Sequence, residues 1–338
     1  MAPSVSTDRA WSSWHDRLHR QLLNNPQLLP KGKTLLLAVS GGQDSMAMLG
    51  LVNDLQRLHG WQLLVWHGNH GWHPGSTEIA AELEDWCEDR RLSFSCDRAN
   101  TEAVKTEAGA RHWRYKQLIQ HALEHSSDDP QQRCQHVLTG HTGSDRAETL
   151  LLNLARGADL SGLSSLRGQR NLAEGLVVVR PLLNFSRAET LQICKQLTLP
   201  IWLDPSNQNL ELSRNRVRHD VLPVLEELHP GCSLRMARLA ERLSHHQSTQ
   251  ETLASLALQS LQSERGLERR RLSQLPLASR MTLLAIWINQ EGGPTVNSSQ
   301  LEALCQAVGA SQPPGCRDLA NGWRISWQRE SVQLDYSG

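Results

Sequence analysis

Short apolar runs alternate with longer stretches of helical spacing over much of the chain. Residues 34–39, 62–66, 92–96, 136–139 and 176–179 are apolar and short enough to predict strands. Between them, 46–58, 77–90, 102–124 and 145–155 repeat apolar residues every three or four positions, as at Met48, Val52 and Leu55, and predict helices. Residues 1–30 predict an amphipathic helical lead-in, with Trp11, Trp14, Leu18 and Leu22 near one face. This alternation predicts an α/β fold: a parallel, doubly wound sheet with helices on both faces. Such sheets bind ligands at the carboxyl ends of their strands, so residues 40–45, 67–73 and 140–148 should converge. Ser126-Ser127-Asp128-Asp129-Pro130 predicts a polar surface loop. Near residue 226 the pattern changes. His229-Pro230-Gly231 breaks the chain, helical segments follow, and 317–334, with Trp323, Ile325 and Trp327 alternating, predicts a small hairpin-like sheet. We therefore expect two domains, 1–226 and 227–338, the second smaller and mainly helical.

The first predicted strand runs directly into Ser40-Gly41-Gly42-Gln43-Asp44-Ser45 and then into a helix. A buried strand, a tight glycine turn and a helix N-terminus make an anion site, because amide N–H groups point outward and the helix dipole adds partial positive charge. Gly41 and Gly42 allow backbone to approach phosphate oxygens, Ser40 and Ser45 supply hydroxyls, and Asp44 is placed to hold a divalent metal on the phosphates. Gly32-Lys33-Thr34 does not make a Walker loop. The first glycine of that motif would fall at Gln27, and the segment precedes the strand instead of following it.

Four further groups fall near predicted strand ends or on adjoining helices. His67-Gly68-Asn69-His70-Gly71 offers imidazoles to a nucleotide, although a polar loop at the sheet edge has the same composition. His67, His70 and His73 lack an acidic or cysteine partner nearby, which argues against a metal site. Asp145 and Glu148, three apart at a helix start, suit Mg²⁺ or an ammonium, and equally suit plain stabilisation of the helix dipole. Arg111, Arg114 and Tyr115 share a helix face, where an arginine stabilises phosphoryl charge or orients an acceptor, or belongs to a solvated surface. Arg214 and Arg218 follow Asp204-Pro205-Ser206-Asn207 and lie one helical turn apart, a spacing that clamps phosphate.

Composition changes this picture little. The chain of 338 residues has a formal net charge of zero, no apolar stretch long enough to span a membrane, and no basic-then-apolar start for secretion. Seven scattered cysteines without a C-x-x-C pair point to reduced thiols in a cytoplasmic protein. Thirty arginines stand against five lysines, and between Glu211 and Arg280 eleven arginines meet eight acidic residues, a slight basic excess of the kind that faces RNA.

Ser-Gly-Gly-x-Asp-Ser resembles the pyrophosphate loop of the N-type ATP pyrophosphatases. The blocks at 40–45, 67–71, 110–115, 141–149 and 204–218, in that order, are together similar to the tRNA(Ile)-lysidine synthase family over about residues 30–226. The resemblance implies ATP and Mg²⁺ as cofactors, and a tRNA(Ile) with a CAU anticodon and free lysine as partners. It implies that ATP adenylylates the wobble cytidine and that lysine then displaces AMP. Its implied roles are phosphate binding by Ser40–Ser45 with Mg²⁺ on Asp44, nucleotide contacts from His67 and His70, and assistance at the base from Arg111. Asp145 and Glu148 would position lysine or metal, with Asp145 the second candidate metal ligand. His141, Arg214 and Arg218 would face the RNA or phosphate, and the second domain would orient the tRNA. An oligomer is left open. Here the family's paired His-His is His141-Thr142, its paired Asp-Asp is Ser144-Asp145, and Arg146 replaces Gln. Trp72-His73 stands where the family often has Leu-Arg. The rivals are a tRNA thiolation enzyme, disfavoured by the missing C-x-x-C, and a non-catalytic nucleotide- or RNA-binding protein, which the altered His-Thr-Gly-Ser-Asp block would suit.

Overall fold

A computed structural model describes residues 11–71, 75–100, 104, 106–125, 133–202 and 210–336. The expected features at Trp72-His73, Ser126–Pro130 and Asp204–Asn207 lie outside the described residues. The chain divides into two compact units, one ending at Ser244 and the other beginning at His245.

The first unit runs through α1 (Ser13–Asn24), β1 (Thr34–Ala38), α2 (Gln43–His59), β2 (Gln62–Asn69), α3 (Ser76–Glu88), β3 (Ser93–Arg98), α4 (Glu107–Glu124), β4 (Cys134–Thr139) and α5 (Gly143–Ala155). A short α6 (Leu160–Leu163), the hairpin of β5 (Gln169–Ala173) and β6 (Leu176–Val179), α7 (Arg187–Gln196), α8 (Ser213–Arg216) and α9 (Leu222–Leu228) lead to the long α10 (Cys232–Leu261). The strands form one sheet in the order β3-β2-β1-β4-β6-β5, parallel throughout except at the edge pair β5–β6. All five expected strands are present. β5 went unforeseen because an exposed edge strand reading Gln-Arg-Asn-Leu-Ala carries no apolar run; a turn at Gly175, with φ +70°, folds it back onto β6.

Alternation along the central strands sends side chains to two separate cores. Leu35 and Leu37 pack with Leu18, Met48, Val52, Leu83 and Ile193, so that α1, α2, α3 and α7 cover one face. Leu36 points the other way, to Leu118, Ala122, Val137 and Val178, beneath α4. A strand buried on both faces reads as a continuous apolar run, as β1 does. The doubly wound architecture is therefore present.

The second unit contains the end of α10, then β7 (Gln262–Ser263), β8 (Gly266–Glu268), α11 (Arg269–Ser273), α12 (Leu277–Gln290), α13 (Ser298–Ala307), β9 (Gly315–Asp318), β10 (Trp323–Trp327) and β11 (Ser331–Tyr336). The expected hairpin is β10–β11, the centre of a five-stranded sheet ordered β7-β8-β11-β10-β9. Ile325, Trp327 and Val332 pack there with Leu284, Trp287 and Leu304. Arg269, 2% exposed, donates to the carbonyls of Val308, Gly309, Gln312 and Gln328 and ties that core to its loops.

The units part inside α10, later than the expected break at 226–230. His229-Pro230-Gly231 only bends the chain between α9 and α10: Gly231 takes φ +81°, and Glu226 accepts from the Gly231 and Ser233 amides. The start of α10 belongs with the sheet domain because Arg146 donates to the Ala237 carbonyl at 3.4 Å and Leu234 lies against Gly143. All seven cysteines are free, Cys96 and Cys316 being exposed and the other five buried. Burial pushes the Cys87 and Cys194 thiols up to about 12 and Cys134 to about 11. Among the described residues, no helix is long and apolar enough to cross a membrane.

Candidate active site

β1 delivers the chain into the loop at its carboxyl end, and α2 begins at Gln43 with Gly42 as N-cap. Gly42 brings no side chain to the first amides of the helix, which keeps that positive end open to an anion. Gly41 adopts φ +85°, its carbonyl accepts from Trp202 N–H at 3.0 Å, and a Cβ there would meet the Trp202 ring at 3.1 Å. The hydroxyls of Ser40 and Ser45 lie 3.2 Å apart, and Ser45 donates to the Gly42 carbonyl at 2.9 Å. Gln43 points away from the loop and donates to the Arg187 carbonyl and the Thr190 hydroxyl, fastening α2 to α7.

Asp44 accepts from Arg187 Nη1 at 2.7 Å and from the Thr190 hydroxyl at 2.5 Å. Burial raises its pKa to about 6; Arg187 opposes that shift, and the neighbouring charge of Asp145 adds to it. Arg187 and Thr190 were not foreseen from sequence. Their signal was the Ser186-x-x-Glu189 capping box that starts α7, in which Ser186 Oγ and the Glu189 carboxylate exchange backbone hydrogen bonds.

The loop after β4 abuts the phosphate loop. A Cβ at Gly140 would come within 2.8 Å of Ser45 backbone, so glycine permits the contact. His141 follows, with Nδ1 2.9 Å from the Thr139 hydroxyl. Burial lowers its pKa to about 3; Asp145 pulls upward, whereas Arg180, Arg214 and Arg114 push down, so the ring is neutral near pH 7. Thr142 N-caps α5, its backbone N–H and hydroxyl donating to Asp145 Oδ2 at 2.7 and 2.9 Å. Ser144 accepts from the Arg187 amide at 3.1 Å, and Arg146, buried, donates to the Leu166 carbonyl at 3.0 Å. The three departures from the family pattern in this block thus hold helix ends and loops together.

Asp145 and Glu148 share a face, as their spacing predicts, but they and the two arginines expected at phosphate are bonded to one another. Arg214 donates to Glu148 Oε2 and Asp145 Oδ1, both at 2.8 Å. Arg218 donates to Glu148 Oε1 at 2.7 Å and to Asp145 Oδ1 at 3.1 Å. Glu148 is 0% exposed, and two guanidinium forks supply the compensation that a buried carboxylate requires. Burial alone would raise the Asp145 pKa, but Arg214, His141, Arg218 and the Thr142 amide hold it down to about 2.

His67 lies at the end of β2, buried, with Nδ1 2.9 Å from the Val39 carbonyl; burial lowers its pKa. That carbonyl can only accept, so Nδ1 carries the proton and Nε2 presents a lone pair. His70 sits 3.3 Å from Arg114 Nη2 and edge-on to Trp113. Arg111 is exposed on α4, its guanidinium 5.1 Å from the Tyr115 ring centroid. Among the described residues, no group of three or more His, Cys, Asp or Glu side chains gathers as a self-sufficient metal site. Asp44 beside the loop fits a Mg²⁺ ion held mostly by phosphate oxygens, which needs only one or two protein carboxylates.

The PP-loop domain family matches residues 14–225. A protein from Prochlorococcus marinus called tRNA(Ile)-lysidine synthase is 49% identical over 334 residues, covering 99% of each chain. Proteins with the same name from Parasynechococcus marenigrum and Gloeobacter violaceus are 54% and 37% identical, each covering 96% of this chain and 95% and 98% of their own. Among solved structures, the U34-tRNA thiolase NcsA of Methanococcus maripaludis superposes with a TM-score of 0.56 at 21% identity, over 69% of this chain and 78% of its own, a likeness of fold. With its nucleotide loop set as the fold requires and relatives of one name aligned along nearly its full length, the chain belongs to the tRNA(Ile)-lysidine synthases, PP-loop ligases.

Proposed function

We propose that this ligase joins lysine to carbon 2 of the wobble cytidine of a CAU-anticodon tRNA(Ile), in two steps. In the first, the cytidine O2 attacks the α-phosphorus of ATP and pyrophosphate leaves. In the second, the lysine ε-amine attacks carbon 2 and AMP leaves. The observation that carries this reading is that the loop opening α5, the helix of Asp145 and Glu148, lies against the phosphate loop at the carboxyl ends of the neighbouring strands β1 and β4: Gly140 fits against the Ser45 backbone, and Arg187, which holds Asp44, also donates its amide to Ser144.

The N-terminal amides of α2 and the Ser40 and Ser45 hydroxyls hold the departing pyrophosphate, since fixed donors stabilise charge that develops there. Mg²⁺ on Asp44 would neutralise phosphate charge. His67, with its Nε2 lone pair, accepts from a nucleobase amine, and His70, just past the end of β2, contacts the same nucleotide. His141, neutral, lines the approach of the acceptor, and Arg111 assists transfer at the base. Asp145 and Glu148, balanced by Arg214 and Arg218, hold those arginines in place beside the phosphate loop, and the lysine ε-amine gives up its proton before it attacks. The second unit orients the tRNA, and the protein works in the cytoplasm.

The test is release of pyrophosphate and AMP from ATP in the presence of lysine and tRNA(Ile) with a CAU anticodon, each omitted in turn. Release of both products that requires RNA and lysine together, with labelled lysine entering the RNA, is the expected result. Lysine that never enters the RNA would overturn the reading.

A further inference from the structure

On the far side of β4 from the phosphate loop, three arginines gather on one tyrosine. Arg111 from α4 and Arg170 from β5 place their guanidinium carbons 5.1 and 5.0 Å from the centroid of the Tyr115 ring. Arg180, just beyond β6, is 3% exposed, lies beside the Tyr115 side chain and donates from Nη1 to the Arg167 carbonyl at 2.6 Å. Its Nε is buried and has no hydrogen-bond partner among the described residues. Burial lowers the Arg180 pKa, Tyr115 opposes that, and the charges of Arg170 and Arg111 add to it, as expected where like charges crowd.

A buried donor without an acceptor costs on the order of 1–3 kcal/mol, and more when it is charged. Three neighbouring cations add mutual repulsion. Tyr115 and one backbone carbonyl do not discharge that positive potential, whereas an anion would. Arg214, by contrast, is neutralised by Asp145 and Glu148.

We propose that Arg111, Arg170 and Arg180, arranged around Tyr115, bind a backbone phosphate of the RNA substrate next to the nucleotide being modified. This rests on the ligase reading above. Strand order separates the cluster from the nucleotide's own phosphates: β6 is two places from β1, about 10 Å at the usual strand spacing, and β5 is one place further. Arg111 and Arg170 are exposed, so a polymer passing over the sheet edge can reach them, while the buried Arg180 fixes the position of the phosphate. Guanidinium forks suit the paired oxygens of a phosphodiester.

The test uses the full chain, its Arg170→Ala and Arg170→Lys variants, and an anticodon stem-loop RNA bearing CAU. Single methylphosphonates, which are neutral, are placed in turn on either side of the target cytidine. Arg170 is exposed on an edge strand, so its loss should not disturb folding. We expect Arg170→Ala to weaken RNA binding about tenfold and to lower the slope of log K against log[salt] by about one, with partial recovery in Arg170→Lys. One methylphosphonate should weaken the wild type by a similar factor and leave Arg170→Ala unaffected. Unchanged RNA affinity and salt slope in Arg170→Ala overturn the proposal, as does an equal methylphosphonate penalty in both proteins at every position. Loss of ATP affinity by equilibrium dialysis, with RNA affinity intact, would assign the cluster to the nucleotide and also overturn it. If the wild type incorporates lysine but fails these tests, only this inference falls; if it neither binds the stem-loop nor incorporates lysine, the ligase reading falls with it.

Discussion

Asp44 is an acid whose pKa in the folded chain sits near 6, above the ordinary 3.8, and its ionised form is the one that pairs with Arg187 and suits a metal. That form is present above about pH 6 and is lost as pH falls through it. The ATP-dependent step should therefore lose activity as pH falls on the acid side, and Asp44→Asn should abolish product release at every pH. The same shift has a stability consequence of opposite sense. Between pH 3.8 and 6 the unfolded chain ionises this group while the folded chain resists, so stability declines with rising pH across that window. Urea titrations of Asp44→Asn, compared with wild type at several pH values, should show that component removed. Arg218 illustrates a different residue-scale effect. Arg218→Met leaves the fully buried Glu148 with a single guanidinium, and should destabilise the first unit by about 3 kcal/mol. Adding Glu148→Gln to that variant should recover part of the loss, which a double-mutant cycle measures.

At the scale of elements, helix starts set the site. Thr142 has no exposure and caps α5 while its backbone and hydroxyl grip Asp145, so Thr142→Val should cost about 1 kcal/mol in denaturant unfolding and release one hydrogen bond from that carboxylate. The sheet and its phosphate loop were legible because β1 is apolar on both faces and ends in glycines, a pattern confined to few folds. The pairing of Asp145 and Glu148 with Arg214 and Arg218 was not. Spacing places residues on helix faces, but which charges meet depends on how α5 and residues 213–218 approach, and residues 66 or more apart in sequence carry no local signal of that. Arg187 was overlooked for the same reason: its meaning comes from α7 packing on α2. β5 escaped notice because a solvated edge strand needs no apolar face.

At the scale of the whole molecule, each unit has its own core, and the residues assigned to ATP all lie in the first. Arg269→Met removes the cation that satisfies four carbonyls in the second unit and should destabilise that unit by several kcal/mol, on the order of 1–3 for each acceptor left without a partner. ATP binding, followed by equilibrium dialysis, should be unchanged in that variant while addition of lysine to tRNA falls. The late division inside α10 means that sequence punctuation at His229-Pro230-Gly231 is a poor guide to where the chain can be cut. A fragment ending at 226 would expose Leu234's packing site at Gly143 and strand Arg146 without its Ala237 carbonyl.

The cysteines offer a practical consequence. Five are buried, three of them with pKa values at about 11 or 12, and so present almost no thiolate to an electrophile at neutral pH. The two exposed thiols fall one in each unit, Cys96 on β3 and Cys316 on β9, and Cys96 is slowed by burial and by the adjacent charge of Asp97. A maleimide dye should therefore attach first to Cys316 and a second dye afterwards to Cys96, giving the natural sequence a donor–acceptor pair for energy transfer. Any change in separation of the units as RNA is taken up then becomes a spectroscopic signal, with no engineered residue in the chain.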